Sequence, residues 1–291
     1  MIYSRFFYFL SRNSMMINLR KGFKATIIFV LFLLSLLSCK SAQELKIQKE
    51  TETMEEYVEK EKELGRAVFA KLAGKFGVVK DEEATKYLNM LGKSIGLYTE
   101  RQELEYFFAI LNTDQINAYA LPGGYILISK GTLKSITNKG ELIGVLSHEL
   151  GHINKKHVLK GVKIQVKFNF FESLARILAG PRQVITNIVN QVSDKIEEKL
   201  FMEGLAADDE FEADNYAVNL MQSIGISAVD YLEYLKSLSS HTDDKAMEEL
   251  DKTHPDINVR LQKIESILNK NLKSSSTTDS FIAFKTIIDK I

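Results

Sequence analysis

Three of the five histidines in this 291-residue chain fall within ten positions of one another: "HELGHINKKH" carries His148, His152 and His157, with Glu149 directly after the first. A helix turns by about 100° per residue, so side chains four apart project from one face. On such a helix His148 and His152 could offer neutral imidazoles to one zinc ion, with Glu149 as general base toward a bound water. Leu142, Ile143, Val145 and Leu146 precede the motif, so the helix can be buried with its polar face turned to a cleft. His157 departs from the four-residue spacing and reads as a surface histidine, or as a support behind the ligands, rather than as a ligand.

A catalytic zinc usually takes three protein ligands plus water. The stretch "DDEFEADNYAV", 208–218, places Glu210 and Asp214 four apart on another expected helix. Glu210 could complete the metal shell, and Asp214 could accept the hydrogen bond from the outward nitrogen of a ligating imidazole and so hold its tautomer. The same spacing is ordinary on a solvated helix, and the two residues alone leave both readings open.

Positioning these groups requires helices meeting beside a small sheet. Apolar residues at helical spacing (Tyr87, Leu88, Leu91, Ile95) follow the acidic start Asp81, Glu82, Glu83, which predicts a packed helix. From 104 to 128 the period changes: "LEYFFAILN" and "AYALPGGYILIS" read as strands, with Pro122-Gly123-Gly124 as a turn inside the second. Beyond Thr132 the pattern is helical, with helices expected at 141–157, about 168–179, about 182–201 and 209–224, and more to about 268. The apolar stripes of Phe170, Phe171, Leu174, Ile177 and Leu178, and of Val184, Ile185, Ile188, Val189 and Val192, read as core packing. A lid or membrane-contacting flap is the alternative. Residues 273–280, "KSSSTTDS", read as a flexible joint before a short apolar end.

Hydrophobic residues make up 45% of the chain and charged residues 26%, enough apolar content for a folded core. Lys plus Arg and Asp plus Glu balance at 38 each, so there is no basic excess for nucleic acid. No glycine-rich phosphate loop is present either.

The single cysteine, Cys39, excludes an internal disulfide and any CxxC site. It ends "NLRKGFKATIIFVLFLLSLLSC", in which Arg20, Lys21 and Lys24 precede an apolar run from Ala25 to Leu37. That run is shorter than the roughly 20 residues a spanning helix needs, and suits an export signal. Leu36-Leu37-Ser38-Cys39 resembles a lipobox, which makes Cys39 the expected lipid attachment, with translation starting at Met1, Met15 or Met16. Residues 1–38 hold five basic and no acidic residues, so the mature chain carries 33 basic against 38 acidic groups, a formal charge of −5. Acyl chains, rather than attraction to anionic headgroups, would hold such a chain at a membrane.

HELGH, then EFEAD, then "THPDINVR" at 253–260, with "NAYALPGGYILISKGTL" and "YLNMLGKSI" upstream, resembles the zinc metalloendopeptidase family that includes HtpX, the CAAX prenyl protease and the periplasmic BepA and LoiP proteins. The likeness spans about residues 66–268. It implies His148, His152 and Glu210 as ligands of one zinc ion, Glu149 as catalytic base and Asp214 as their support. It also implies His254 as a fourth ligand or gate, and an arginine at 260 near the active site, where it would help stabilise the oxyanion. Asn117 and Ala118 would offer backbone groups to an extended substrate. Ala206 and Ala207 stand where family members often carry Ser-Arg.

The expected fold is α+β: a mostly helical zincin-like metallopeptidase domain with a small antiparallel sheet. The expected layout is a signal peptide over 1–38, a linker and start of the helical region over 39–65, the peptidase domain over 66–268, and a joint with a short C-terminal segment over 269–291. The expected activity is that of an exported, lipid-anchored endopeptidase of the cell envelope. Its expected partners are unfolded or misassembled polypeptides and the membrane, through the N-terminal lipid, with no nucleic acid. A chaperone-like assembly factor with a gated zinc site and little proteolysis is the rival.

Overall fold

The computed structural model describes residues 54–162, 182–240, 250, 253, 254, 257–268 and 279–291. The signal segment, the helix expected at 168–179 and most of the expected joint lie outside them. The chain divides into two units after Glu56, and the second, from Tyr57 onward, contains the sheet and the helices packed on it.

A helix reaching from 54 to 76 (α1) leads to α2 (Glu82–Gly96) and the strands β1 (Phe107–Leu111), β2 (Ala118–Leu121) and β3 (Tyr125–Ser129). Then come α3 (Lys130–Ser135), α4 (Lys139–Lys155), α5 (His157–Gly161), α6 (Arg182–Glu198), α7 (Ala207–Ser223), α8 (Val229–Ser239), α9 (Ile257–Leu268) and α10 (Asp279–Ile288). Asp81 caps α2, its side chain accepting from the Ala84 N–H, as the acidic start led one to expect.

The sheet runs β1-β3-β2. β2 pairs antiparallel with β3, Ala118 opposite Ile128 and Leu121 opposite Tyr125. β1 instead pairs parallel with β3, Phe107 opposite Tyr125, so the sheet is mixed where an antiparallel one was expected. β2 runs opposite to β1, so a chain that turns back after it through Gly123 (φ 73°) and Gly124 (φ 95°) brings β3 parallel to β1. Those φ values belong to glycine, which has no Cβ to clash.

Successive side chains of a strand point to opposite faces, and both faces here are buried. Phe108, Ile110, Ala118, Ala120, Ile126 and Ile128 join the larger core with α2, α4, α7 and α8. Leu111, Tyr119, Leu121 and Leu127 join a second core with Val68 and Leu72 of α1 and Ile196 of α6. Burial on both sides explains the nearly continuous apolar stretch. Glu61 of α1 accepts two hydrogen bonds from Arg101, at 2.7 and 2.9 Å, and a third from the Gly123 N–H at 3.0 Å, tying the turn to the helix. The short apolar end forms α10, whose Phe284 stacks on Tyr87 of α2.

Among the described residues no helix is long and apolar enough to cross a membrane.

Candidate metal centre

α4 begins at a reciprocal cap. The Asn138 side chain accepts from the Glu141 N–H at 3.0 Å, while the Glu141 carboxylate accepts from the Thr137 N–H and hydroxyl at 2.6 and 2.7 Å. Every residue from Gly140 to Ile153 is buried. Such a helix needs close neighbours, and Gly144 supplies one approach: a Cβ there would lie 2.5 Å from the Cβ of Tyr231. Tyr231 of α8 therefore packs directly on α4, with its hydroxyl donating to Asp214 Oδ1 at 2.8 Å.

α7 is the main packing partner of α4. It starts at Ala206 without a side-chain cap, where a serine would have supplied one, and Asp208, Asp209 and Glu210 occupy its first turn, a favourable place for negative charge. Glu210 and Asp214 both face α4 and are buried.

The two helices bring the expected ligands together. His148 Nε2 and His152 Nε2 lie 2.9 Å apart, and each lies 3.4 Å from a Glu210 oxygen. His254 joins from the C-terminal region, its Nδ1 2.8 Å from Glu210 Oε2, and one donor atom from each of the four residues lies within 4.8 Å of the others. Ligands about 2.0–2.1 Å from a tetrahedral zinc stand roughly 3.3 Å apart, so the spacing suits such an ion. The donor set, imidazole nitrogens and one carboxylate, is the one zinc takes. Glu210 Oε1 is buried without a hydrogen-bond partner, a costly state unless something fills it. The residues fit a zinc ion.

The charges around the cluster are held by one another. Burial disfavours the Glu210 carboxylate, but His254, His152 and His148 outweigh it and keep the group well below the usual carboxylate range. Burial also opposes the imidazolium of His148, yet Asp214 and Glu210 push its pKa up to about 9. For His152 burial prevails and the pKa falls well below that of an ordinary histidine. Glu149, with Oε2 unpartnered, is pushed up chiefly by burial, as suits a group that must accept a proton.

Asp214 Oδ1 lies 3.0 Å from His148 Nδ1, close enough for the carboxylate to face the outward nitrogen of a ligating imidazole, though the pair is not aligned as a hydrogen bond. Arg260 of α9 donates to Asp214 through Nε and Nη2 and to the Tyr231 hydroxyl at 3.0 Å. Only Nη1 is left, 3.4 Å from Glu210 Oε2. Arg260 is thus foremost a partner of Asp214, and any hold on a substrate oxygen would fall to that one nitrogen.

The expectation for Asn117 is corrected. Neighbouring residues of a strand turn their backbone groups to opposite edges, so Asn117 and Ala118 cannot serve one substrate together. The Asn117 N–H donates to Ser129 Oγ, and its carbonyl accepts from the Ser129 N–H and the Thr132 hydroxyl. Ala118 and Ala120 face the outer edge of β2, the Ala118 N–H donating to the Asn117 side chain. An apolar cavity of about 40 Å³ lies beside this edge, lined by Val145, Glu149, Leu235, Leu238 and Leu250 among others.

His157 is fully buried, which excludes the surface alternative. It sits where it does because Lys156 adopts a left-handed conformation, φ 59°, that ends α4 and starts α5 at His157. Its ring meets His152 Nδ1 to Nδ1 at 2.9 Å. Tyr231, the bridge between Asp214 and Arg260, was not foreseen: nothing in its helix but an aromatic at an apolar position marks it. Cys39 lies outside the described residues.

The profile of peptidase family M48 matches residues 83–268. The chain is 22% identical over 184 residues to the Beta-barrel assembly-enhancing protease of Escherichia coli, covering 61% of this chain and 37% of that protein. It is 26% identical over 147 residues to Metalloprotease LoiP of the same organism, covering 50% and 56% respectively. To Metalloprotease YcaL, also of E. coli, it is 26% identical over 185 residues, covering 64% and 70%. The matched part is thus little more than a third of the first relative's length.

Proposed function

The chain belongs to peptidase family M48, and from that premise we propose that it is a zinc-dependent endopeptidase of the cell envelope acting on unfolded or misassembled polypeptides. One observation carries the proposal: imidazoles from α4 and a carboxylate from α7 converge at metal-ligand spacing beside a buried Glu149.

His148, His152 and Glu210 would hold the zinc, with His254 as a fourth ligand or gate; zinc supplies polarisation of water and of the scissile carbonyl. Glu149 takes the proton that the attacking water loses and passes it to the leaving nitrogen. Its elevated proton affinity suits both halves of that transfer. Asp214, itself fixed by Arg260 and Tyr231, keeps the proton of His148 on Nδ1, away from the metal side.

The substrate adds as a strand to the outer edge of β2 through the Ala118 carbonyl and the backbone of Ala120, with an apolar side chain in the neighbouring cavity. A folded protein has few unpaired extended segments to offer, so this mode of binding selects unfolded chains. The relative named for enhancing β-barrel assembly supports misassembled proteins as substrates. The basic-apolar leader ending at Cys39 supports export and a lipid anchor.

Glu149→Gln is the test: the purified variant should keep its zinc and lose cleavage of an unfolded protein, and retained cleavage would refute the peptidase assignment. The contact of His254 with Glu210 favours a second reading, an assembly factor whose metal is sealed most of the time. That role would survive Glu149→Gln in cells, and a peptidase role would not.

A further inference from the structure

We infer that His157 and Glu212 form a proton-fixed relay behind His152 that sets the donor strength of that ligand. The inference rests on the proposed role of His152 as a metal ligand.

Two imidazoles facing each other through Nδ1 at 2.9 Å share one proton: one ring donates and the other accepts. His152 turns Nε2 into the donor cluster, 2.9 Å from His148 Nε2 and 3.4 Å from Glu210 Oε1. A metal there needs the Nε2 lone pair, so the proton of neutral His152 is on Nδ1. His157 Nδ1 must then accept, which puts its own proton on Nε2. That nitrogen lies 3.1 Å from Glu212 Oε2 and 3.6 Å from Asp209 Oδ1, two acceptors in the first turns of α7. Each proton in the chain from Glu212 through His157 to His152 thus has one place.

The same proton count decides against a second metal. His157, Asp209 and Glu212 bring three donor atoms within 4.8 Å, but an ion on His157 Nε2 would force its proton to Nδ1. Two N–H groups would then oppose one another across 2.9 Å. While the inner site is filled, the outer cluster holds a proton.

His157 is a positioning residue: it orients the His152 ring and raises its basicity. Removing such a partner typically weakens metal binding about 10–100-fold. The backbone kink at Lys156 is what makes this possible, since a continued α4 would carry position 157 about 140° round the helix from His152.

Zinc affinity measured by chelator competition tests the inference. His157→Leu, which keeps bulk but cannot accept a proton, should bind zinc roughly 10–100-fold more weakly than wild type. His157→Gln, whose amide oxygen can accept from His152, should recover most of the loss. Glu212→Lys, at a half-exposed position that leaves folding intact, should weaken zinc several-fold if His157→Leu fails to fold. Nitrogen NMR of the zinc-loaded wild type should show the His157 proton on Nε2. Unchanged affinity in both His157→Leu and Glu212→Lys, or a second zinc bound by wild type and lost in His157→Leu, would overturn the relay alone. A wild type that binds no zinc would overturn the relay together with the proposed function.

Discussion

Arg260 grips Asp214 at two points, Nε to Oδ2 at 2.8 Å and Nη2 to Oδ1 at 2.7 Å, with both side chains buried. Because Asp214 in turn faces His148, the pair links α9 to the metal side of α4. Breaking a buried ion pair from one side costs about 3–5 kcal/mol, since the other charge is left stranded. Arg260→Met should therefore lower the urea midpoint of the metal-free protein markedly, and Arg260→Lys, which cannot bridge two oxygens, should lower it less. An arginine serving only a substrate oxyanion would leave the metal-free protein as stable as wild type.

The same pair sets an acid limit. Burial opposes the charge of Asp214, but Arg260 and His148 hold its pKa well below the usual carboxylate range. A depressed carboxylate contributes stability that is present above its unfolded pKa of about 3.9 and lost as pH falls toward the folded value. His148 works the other way: its contribution is full below about pH 6.5 and lost as pH rises through about 9. Urea titrations of the metal-free protein should show stability falling below about pH 4, with Asp214→Asn flattening that limb, and falling again between about pH 6.5 and about pH 9. An acid limb of unchanged slope in Asp214→Asn would contradict the assignment.

Gly144 tests the packing that seats Tyr231. A Cβ at this position would meet the Tyr231 Cβ at 2.5 Å. Overpacking of this kind costs about 1–3 kcal/mol, against which the better helix propensity of alanine returns up to ~1 kcal/mol. Gly144→Ala is expected to be less stable than wild type on balance and to bind zinc more weakly, as Tyr231 is pushed off Asp214. Equal stability and equal zinc affinity would mean that α8 does not press on α4 in this way.

The outer edge of β2 is open to a single-atom test. The Ala120 N–H turns away from β3, so Ala120→Pro removes a donor from the edge and none from the ladder. One hydrogen bond contributes about 0.5–1.5 kcal/mol, so kcat/KM on an unfolded protein should fall roughly 2- to 10-fold with zinc affinity unchanged. Undiminished cleavage would move substrate binding elsewhere.

Much of the site was legible because its chemistry is local in sequence. His148, Glu149 and His152 share one helix face, and Glu210 and Asp214 another, so periodicity placed each set correctly. What joins the sets is not periodic. Tyr231 reaches Asp214 only because Gly144 lets it lie against α4, a fact of packing between distant segments. The direction of β1 against β3 was likewise hidden, since strand patterns carry no sign of parallel or antiparallel partners. Asn117 departs from its expected role because a motif names a stretch, whereas the alternation of backbone groups decides which residue of it faces out. His157 drew notice by type, but the left-handed turn at Lys156, a non-glycine residue, carries no sequence signal.

Counting zinc in the purified protein tests the central claim, that α4 and α7 share one ion, most directly. Wild type should hold one equivalent per chain after dialysis, and His148→Ala and Glu210→Ala should each lose it while remaining folded. Zinc absent from wild type, or retained at one equivalent in Glu210→Ala with wild-type affinity, would contradict it.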